Sequence, residues 1–486
     1  MTNIKKCPVC HLEFEKLVEK CPLCDFQGLS KLFLTKDDYM KWMKTVVEPY
    51  RRQYFDFAVD TPITKDAGWL DSEKAGIDGE VNWKLDNKGI FYVFGNGKMK
   101  DYKYWMLFGL LKDKTTPWGS IKNRINYLAF YLGVKNIGSR SFYGCKKLKC
   151  IHISASVQSI GEHAFYCCSE LLKVDIPGSV ASIGKGAFEN CWKLTNLKIS
   201  SGIVFIGDSA FAKCNNLKRI IIPGTVTDIG NYAFSTCKEL TDLVISTGTI
   251  NIGHHAFEHC ESLKTTYIPE SVKHIGHDAF QCCNSLVSIM VEAANPNYCS
   301  EDGVLFNREK TILWGYPSGK NQNIYYVPEC VAHILDNAFY GNKHITSIII
   351  PKSVTSIGEH AFAYCSNLTS IAIPNGITYI GSGAFSNCSS LTSVILSNSV
   401  KIIQSFVFEN CNSLKNVRLP YGIENIEGYS FSGCESLESI IIPDSVTSIK
   451  EHAFKGCTSL KSVNIPNSVT SIGDTAFPDG CIITRY

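Results

Sequence analysis

The fold is decided by a stretch of sequence that recurs along the chain, and one copy reads Val354-Thr-Ser-Ile357-Gly358-Glu-His-Ala361-Phe362-Ala-Tyr-Cys365-Ser-Asn-Leu368-Thr-Ser-Ile371-Ala-Ile373-Pro374. Its central phenylalanine returns every 23 residues in two groups of seven. An isoleucine always stands five residues before it, and a cysteine follows three residues after it in twelve of the fourteen copies. The phenylalanines are Phe142, Phe165, Phe188, Phe211, Phe234, Phe257, Phe280, Phe339, Phe362, Phe385, Phe408, Phe431, Phe454 and Phe477.

A unit of this length has two short apolar segments and cannot bury its apolar side alone, so neighbouring units must stack and share one core. The L-x-x-I-x-I segment alternates with period two, which predicts a strand that pairs in parallel with its copies. The V-x-x-I segment predicts a second strand on the opposite wall. Glycine after the isoleucine is expected where the backbone turns sharply, and proline ends the longer strand. These features predict a β-rich solenoid.

The repeat unit resembles the BspA-like, Treponema-type leucine-rich repeat over residues 131–486. This resemblance implies a β-rich leucine-rich repeat solenoid of about fourteen 23-residue coils. Residues 76–130 resemble the cap that leads into such arrays, and the alternation on both sides of Asp86-Asn-Lys-Gly89 predicts a β-hairpin there. The hairpin is expected to close the open end of the first coil.

One unit is longer than the rest, because the step from Phe280 to Phe339 is 59 residues. The elongated unit covers about 292–330, and two apolar runs around Asn307–Lys310 predict an extra hairpin. We expect an insertion that bulges from the solenoid, and the alternative is a dedicated binding loop.

The N-terminal residues 1–28 contain two C-x-x-C pairs, which are Cys7 with Cys10 and Cys21 with Cys24. Four thiolates at this spacing complete the tetrahedral shell that Zn²⁺ prefers, so they predict a zinc ribbon with one structural zinc ion. The segment has too little core to fold alone, so zinc would supply its folding free energy. A redox-active dithiol is the competing interpretation.

The cysteines of the repeats form a second population, with one at the same register in most coils. We expect reduced cysteine in the core, and the alternative is a metal site or disulfides. We call these residues the ladder cysteines: Cys145, Cys168, Cys191, Cys214, Cys237, Cys260, Cys283, Cys365, Cys388, Cys411, Cys434 and Cys457.

Residues 29–75 are predicted to form a helical linker, because Thr35 and the acids that follow it are typical of a helix start. Its aromatic residues either pack against the ribbon or the cap, or dock a partner.

Side chains between the buried aliphatics of the longer strands are expected to face the concave wall of the solenoid. An exposed apolar column on a rigid sheet suits a protein or peptide partner, although β-branched residues there also simply favour the sheet. The predicted partner-binding residues are Ile221, Val244, Tyr267, Met290, Ile349, Ile395 and Arg418.

Five histidines lie in two consecutive units, and His254 and His277 share one register, so their side chains could lie at metal-bridging distance. Histidine at a neighbouring register in other units favours a solvated face instead. No nucleophile elbow, phosphate loop, dinucleotide fingerprint or H-E-x-x-H motif occurs, so we expect no catalytic residues and no enzyme.

The composition is that of a folded, nearly neutral protein, with 45% hydrophobic residues and a net charge of +3. Residues 1–60 carry ten basic and nine acidic side chains, so a nucleic-acid partner is not expected. The longest strongly apolar run, Tyr104–Leu111, is too short to span a bilayer, and no secretory signal is seen, so a cytoplasmic location is expected. The predicted function is non-enzymatic protein recognition. The alternative is an adhesin-like protein at the cell surface that binds host or neighbouring-cell proteins.

Overall fold

The structure is a computed structural model that describes residues 5–6, 13–14, 75–102, 104–107, 110–113 and 116–486. The chain divides into two compact units, Met1–Leu217 (unit 1) and Lys218–Tyr486 (unit 2). The four predicted zinc ligands and the predicted helix after Thr35 lie outside the described residues.

Each repeat forms one coil, in which a short strand leads through a bend to a long strand. In the coil quoted above, the short strand is Ser356–Ile357 and the long strand is Ser370–Ala372. Ile371 is buried and its two strand neighbours are exposed, as the period-two alternation predicts. The predicted β-solenoid is therefore confirmed.

Long strands of successive coils pair in parallel, and Ser370 lies opposite Ser393 while Ile371 lies opposite Val394. Since the offset equals the repeat length, equivalent residues of neighbouring coils become neighbours in the sheet. The long strands are Tyr127–Phe130, Cys150–His152, Lys173–Ile176 and Asn196–Ile199 in unit 1, and Arg219–Ile222, Asp242–Ile245, Thr265–Ile268, Ser288–Val291, Ile324–Tyr326, Ser347–Ile349, Ser370–Ala372, Ser393–Ile395, Asn416–Arg418, Ser462–Ile465 and Ile482–Arg485 in unit 2.

Short strands pair in the same way, with Ile357 opposite Ile380 in the next coil. They form the opposite wall, as predicted. The short strands are Val134–Ile137, Ser159–Ile160, Ser182–Ile183 and Phe205–Ile206 in unit 1, and Asp228–Ile229, Asn251–Ile252, His274–Ile275, His333–Ile334, Ser356–Ile357, Tyr379–Ile380, Ile402–Ile403, Asn425–Ile426, Ser448–Ile449 and Ser471–Ile472 in unit 2.

The repeat phenylalanines stack face to face in the core, and the rings of Phe362 and Phe385 lie 5.2 Å apart at an interplanar angle of 5°. All fourteen are buried except Phe280, which is half-buried. The ladder cysteines are buried beside the stack, which confirms their expected place in the core. Stacking of identical rings agrees with the presence of phenylalanine in all fourteen units.

The glycine after the repeat isoleucine has a different role from the expected sharp turn. Gly381 has an ordinary backbone conformation, but a Cβ there would lie 2.4 Å from the backbone nitrogen of Glu359 in the preceding coil. The bends instead place other residues in the left-handed region, such as His360 at φ 51° and Tyr364 at φ 60°. The close approach of two coils therefore favours glycine, although Leu335, Gln404, Glu427 and Lys450 occupy the same position in four units.

The cap precedes the first coil with the strands Ala75–Asp78, Val81–Leu85, Ile90–Gly95 and Gly97–Lys98. Val81–Leu85 and Ile90–Gly95 pair in antiparallel fashion, which confirms the predicted hairpin, and Ile90–Gly95 also pairs in parallel with the first long strand. A second antiparallel pair, Tyr104–Leu107 with Leu110–Asp113, follows. Trp118 is buried against Phe142, with the two rings stacked 5.3 Å apart.

The elongated unit contains three antiparallel strands, Tyr298–Glu301, Val304–Asn307 and Ile312–Gly315. The predicted extra hairpin is confirmed, but the expectation that it bulges from the solenoid is wrong. Ile312–Gly315 pairs in parallel with the short strand His333–Ile334, and Val304–Asn307 contributes Val304 and Phe306 to the core. The apolar residues of the insertion are buried there, so the insertion forms part of the wall.

Helix is almost absent from the part of the chain that the structure describes, where the single helical segment is the 3-10 turn Gly119–Arg124. Among the same residues, no helix has the length and apolar character needed to cross a membrane.

Candidate binding surface

The long strands of unit 2 from Arg219–Ile222 to Asn416–Arg418 each present one outward-facing side chain at the equivalent position, and we call this set the long-strand column. It contains all seven predicted partner-binding residues. Its members are Ile221, Val244, Tyr267, Met290, Tyr326, Ile349, Ala372, Ile395 and Arg418.

Strand alternation holds these side chains outside the core. In the strand Arg219–Ile222, Ile220 and Ile222 are buried, whereas Ile221 between them is 46% exposed. Ile395 is 63% exposed for the same reason. The buried neighbours fix each strand, so the exposed apolar groups are presented on a rigid backbone.

Parallel pairing brings the column into register from one coil to the next. Ile221 lies opposite Val244, Tyr267 opposite Met290, and Ile395 follows Ala372. Since paired strands lie about 4.8 Å apart, the column consists of three strips, which are Ile221 with Val244, Tyr267 with Met290, and the five residues from Tyr326 to Arg418.

Sequence reasoning missed Tyr326, which is 67% exposed and lies opposite Ile349. It belongs to the elongated unit and lies 36 residues after Met290, but it is 23 residues before Ile349, so one step back from the next coil would also have found it. The alternation in Ile324-Tyr-Tyr-Val327-Pro328 resembles the end of a regular strand and could have identified it.

Polar side chains flank the column at the start of each strand. Arg219 lies opposite Asp242, and further along the sheet Ser347, Ser370 and Ser393 lie opposite one another in succession. The column is thus apolar in its centre and polar at its margin, which is the usual composition of a protein-binding surface.

Acidic groups lie near Tyr267. The pKa of its hydroxyl is raised by desolvation, and the charges of Glu292 and Glu270 add to the effect.

The equivalent positions in unit 1 are polar, with His152, Asp175 and Lys198 in place of aliphatic residues. Lys173 also forms an ion pair with Asp175 at 3.0 Å. The apolar column is therefore a property of unit 2.

The two histidines that share a register do lie on adjacent coils, with ring centroids 5.4 Å apart. The Nδ1 atom of His254 already accepts a hydrogen bond from the backbone N–H of His277 at 3.1 Å. Its lone pair is thus occupied, and the rings stack face to face. Among the described residues, no group of three or more His, Cys, Asp or Glu side chains could hold a metal ion.

The ladder cysteines have chemistry that suits the core. Burial raises the pKa of Cys145 and of Cys365 to about 12. Their thiols are therefore protonated at neutral pH and poor nucleophiles.

Two strands near the N-terminus bracket the first C-x-x-C pair. Lys5–Lys6 and Glu13–Phe14 pair in antiparallel fashion, and Cys7 and Cys10 fall in the connection between them. The geometry of the four thiols lies outside the described residues.

Comparison with protein families matches residues 121–241, 227–301, 332–441 and 424–486 to the BspA type leucine rich repeat region. The match covers well over half of the chain, and the chain belongs to this family. The resemblance found in the repeat sequence is confirmed.

Solved structures show the same fold. A leucine-rich repeat protein from Eubacterium ventriosum is 26% identical, with a TM-score of 0.59 over 86% of this chain and 95% of that one. A leucine rich cell surface protein from Faecalibacterium prausnitzii is also 26% identical, with a TM-score of 0.50 over 84% of this chain and 96% of that one. No curated protein matches the chain significantly. The family and its fold define a repeat scaffold.

Proposed function

We propose that the protein is a non-enzymatic recognition scaffold that binds a protein or peptide on the long-strand column of unit 2. The observation that carries the proposal is the set of exposed apolar side chains that paired strands hold in register. Aligned apolar groups of this kind offer a partner apolar surface to bury.

Strand propensity alone does not account for the composition of the column. Isoleucine and valine favour strands wherever they are placed, but Met290 is unbranched and is 44% exposed beside Tyr267. Methionine is common on surfaces that adapt to partners, and tyrosine is enriched at the centres of interfaces. The pair suits contact with a partner better than it suits sheet formation.

The polar margin supports the same proposal. Small serines at the strand starts leave room for a partner backbone, and their hydroxyls can donate to it or accept from it. Arg219 and Asp242 offer opposite charges at one end of the column, which would orient a partner rather than add much affinity.

The test compares the proteins that three chains retain from a cell lysate. These chains are the wild type, a triple variant of the column and a double variant of the bends. Val244→Glu, Tyr267→Glu and Met290→Glu together introduce charge on three adjacent strands. The control carries Tyr232→Glu and Tyr364→Glu, two exposed aromatic residues of the bends. A partner held by the wild type and the control, but lost from the column variant, supports the proposal. Equal retention by all three chains would refute it.

A second candidate is an adhesin-like protein of the cell surface. The observation that favours it is the similarity to the cell surface protein of Faecalibacterium prausnitzii. Protease treatment of intact cells, followed by mass spectrometry, separates the two locations. Cleavage of the chain in intact cells supports the surface, and its survival supports the predicted cytoplasmic location.

We further propose a structural zinc ribbon with Cys7, Cys10, Cys21 and Cys24 as ligands. The spacing of the two pairs supports it, as does the antiparallel strand pair that brackets Cys7 and Cys10. The ribbon would stabilise the N-terminal segment and would leave no coordination position for catalysis.

A further inference from the structure

The bend of the elongated unit is shorter than the bend of a regular coil. Leu313 lies opposite Ile334 in the short-strand sheet, and Tyr316 stacks on Phe339 where a repeat phenylalanine would lie. Three residue steps join Leu313 to Tyr316, whereas five join Ile334 to Phe339. The bend therefore lacks two residues, and a cavity of about 70 Å³ lies beside it.

This shortening interrupts a ladder of backbone hydrogen bonds. In a regular coil the bend donates three N–H groups to the next coil, and the coil of Phe362 donates from His360, Phe362 and Tyr364. The equivalent N–H groups of Asp278, Phe280 and Cys282 have no acceptor among the residues that the structure describes. All three residues line the cavity.

Acceptors remain on the opposite side of the cavity. In regular coils, carbonyl groups such as those of Ser382 and Ser386 accept the ladder bonds. Their counterparts in the coil of Phe339 are the carbonyl groups of Asp336 and Tyr340, which accept none from the described residues. The cavity thus has backbone donors on one side and backbone acceptors on the other.

Apolar and aromatic groups form the rest of the wall. Phe280 is half-buried here, unlike the other repeat phenylalanines, and Leu286 and Leu305 line the cavity with it. Trp314 closes one side and stacks against His277, with 6.4 Å between ring centroids. An occupant therefore needs an apolar body as well as polar edges.

The charges of the lining exclude an anion. Asp278 and Asp336 line the cavity, and no lysine or arginine is among the lining residues that the structure describes. Burial raises the pKa of Asp278, whose carboxylate accepts a hydrogen bond from the side-chain amide of Asn337 at 3.1 Å. The backbone N–H groups of Asp278, Phe280 and Cys282 disfavour a simple cation in the cavity, because each N–H dipole has its positive end at the hydrogen.

We infer that this cavity binds a compact amide group. The amide oxygen would accept from the N–H groups of Asp278 and Phe280, and the amide N–H would donate to the carbonyl of Asp336 or Tyr340. The size of the cavity agrees with this ligand. One water-sized group needs about 10 to 15 Å³, so a cavity of about 70 Å³ accommodates about five non-hydrogen atoms with their hydrogens. An amide with two carbons beyond its carbonyl has five heavy atoms. The inference is independent of the long-strand column.

The test uses three probes of similar size that differ in their hydrogen-bonding groups. Propionamide has a donor and an acceptor, propionate has acceptors and a negative charge, and n-butylammonium has donors and a positive charge. Saturation-transfer NMR with the full chain gives a dissociation constant for each. We expect propionamide to bind in the millimolar range and at least tenfold more tightly than either ion. Equal or tighter binding of an ion would overturn the inference.

Two variants locate the bound probe. Gly315 lines the cavity and a Cβ added there would meet nothing within 4 Å, so Gly315→Leu introduces a side chain beside the cavity without a clash and should weaken propionamide binding at least tenfold. The control Ala181→Leu adds the same side chain at an exposed position of another coil and should leave binding unchanged. Propionamide binding that survives Gly315→Leu would show that the probe lies elsewhere and would contradict the assignment.

The source of the amide is distinguished by one more probe. N-methylacetamide has the five heavy atoms of propionamide but carries a peptide group, whereas propionamide imitates the side chain of asparagine or glutamine. Tighter binding of the first would identify a peptide backbone as the occupant, and tighter binding of the second a primary amide. Both results support an amide site. No saturable binding of either probe would refute it.

Discussion

The thiol of Cys388 donates a hydrogen bond to the carbonyl oxygen of Phe362, with 3.1 Å between sulfur and oxygen. Nine other ladder cysteines make the same bond to the phenylalanine 26 residues earlier. The carbonyl lies at the bend, where it also accepts from the backbone N–H of Cys365 at 3.2 Å, so the thiol is its second donor. The cysteine therefore fills a small space and also satisfies a backbone acceptor of the preceding coil.

Replacing this thiol should separate the two roles. Cys388→Val keeps apolar volume but removes one of the two donors to the Phe362 carbonyl, which should lower the free energy of unfolding by about 0.5 to 1.5 kcal/mol. Cys388→Ser keeps a donor and should cost less. Urea unfolding followed by circular dichroism measures both, and Cys330→Val, at an exposed cysteine, is the control. A serine variant that is less stable than the valine variant would contradict this role.

The buried thiols should make the fold sensitive to alkaline pH. Burial raises the pKa of Cys145 and of Cys365 to about 12, from 9.0 for an unperturbed thiol. Above pH 9 the unfolded chain releases protons that the folded chain retains, so stability is complete below pH 9 and is lost between pH 9 and pH 12. Each such thiol contributes a loss of about 1.4 kcal/mol per pH unit in that window.

Urea midpoints at pH 8, 9, 10 and 10.5 measure this dependence. We expect a steep fall above pH 9, and a smaller slope in Cys365→Ser, which has one ladder thiol fewer. Midpoints that stay constant from pH 8 to pH 10.5 would show that the thiols have the same pKa in the folded and the unfolded chain.

Asn342 occupies the position that a ladder cysteine has in most other coils. The shortened bend before it explains why asparagine replaces cysteine here. Its amide nitrogen donates to the carbonyl oxygens of Pro317 and Ser318 at 3.3 and 3.2 Å. Its side-chain oxygen accepts from the backbone N–H groups of His344 and Ile345, both at 2.9 Å. A thiol has one weak donor and could not replace this set of contacts.

Restoring the repeat cysteine at this position should therefore destabilise the protein. We expect Asn342→Cys to lower the free energy of unfolding by about 1 to 3 kcal/mol, because buried groups lose their partners. The exposed Asn321→Cys should have no effect in the same urea titration. A gain in stability, as consensus substitutions commonly give, would refute the assignment.

The sequence predicts the regular coils well because one period fixes both strands and the core position of each phenylalanine. It predicts the long-strand column for the same reason, except at Tyr326, which the insertion separates from Met290 by 36 residues instead of 23. The cavity beside Phe280 could not be foreseen, since it depends on the pairing of Leu313 with Ile334 across the sheet. The sharp turn expected at the repeat glycine is also wrong, because local turn preferences do not reveal the distance between neighbouring coils.

Metal analysis tests the proposed ribbon. We expect about one zinc ion per chain, and its loss in Cys10→Ser, because three thiolates hold zinc less tightly than four. The circular dichroism of the repeats should stay nearly unchanged, and Cys330→Ser should retain the metal. Zinc-free wild-type protein purified without chelators would contradict the ribbon.

The most direct test of the recognition surface is site-specific photo-crosslinking from single positions. A photoreactive phenylalanine analogue is placed at Tyr267 on the long-strand column or at Tyr232 on a bend, and crosslinked products are identified by mass spectrometry after irradiation of cells. We predict a discrete crosslinked partner from Tyr267 and none from Tyr232. The same partner captured from both positions, or from Tyr232 alone, would contradict binding through the column.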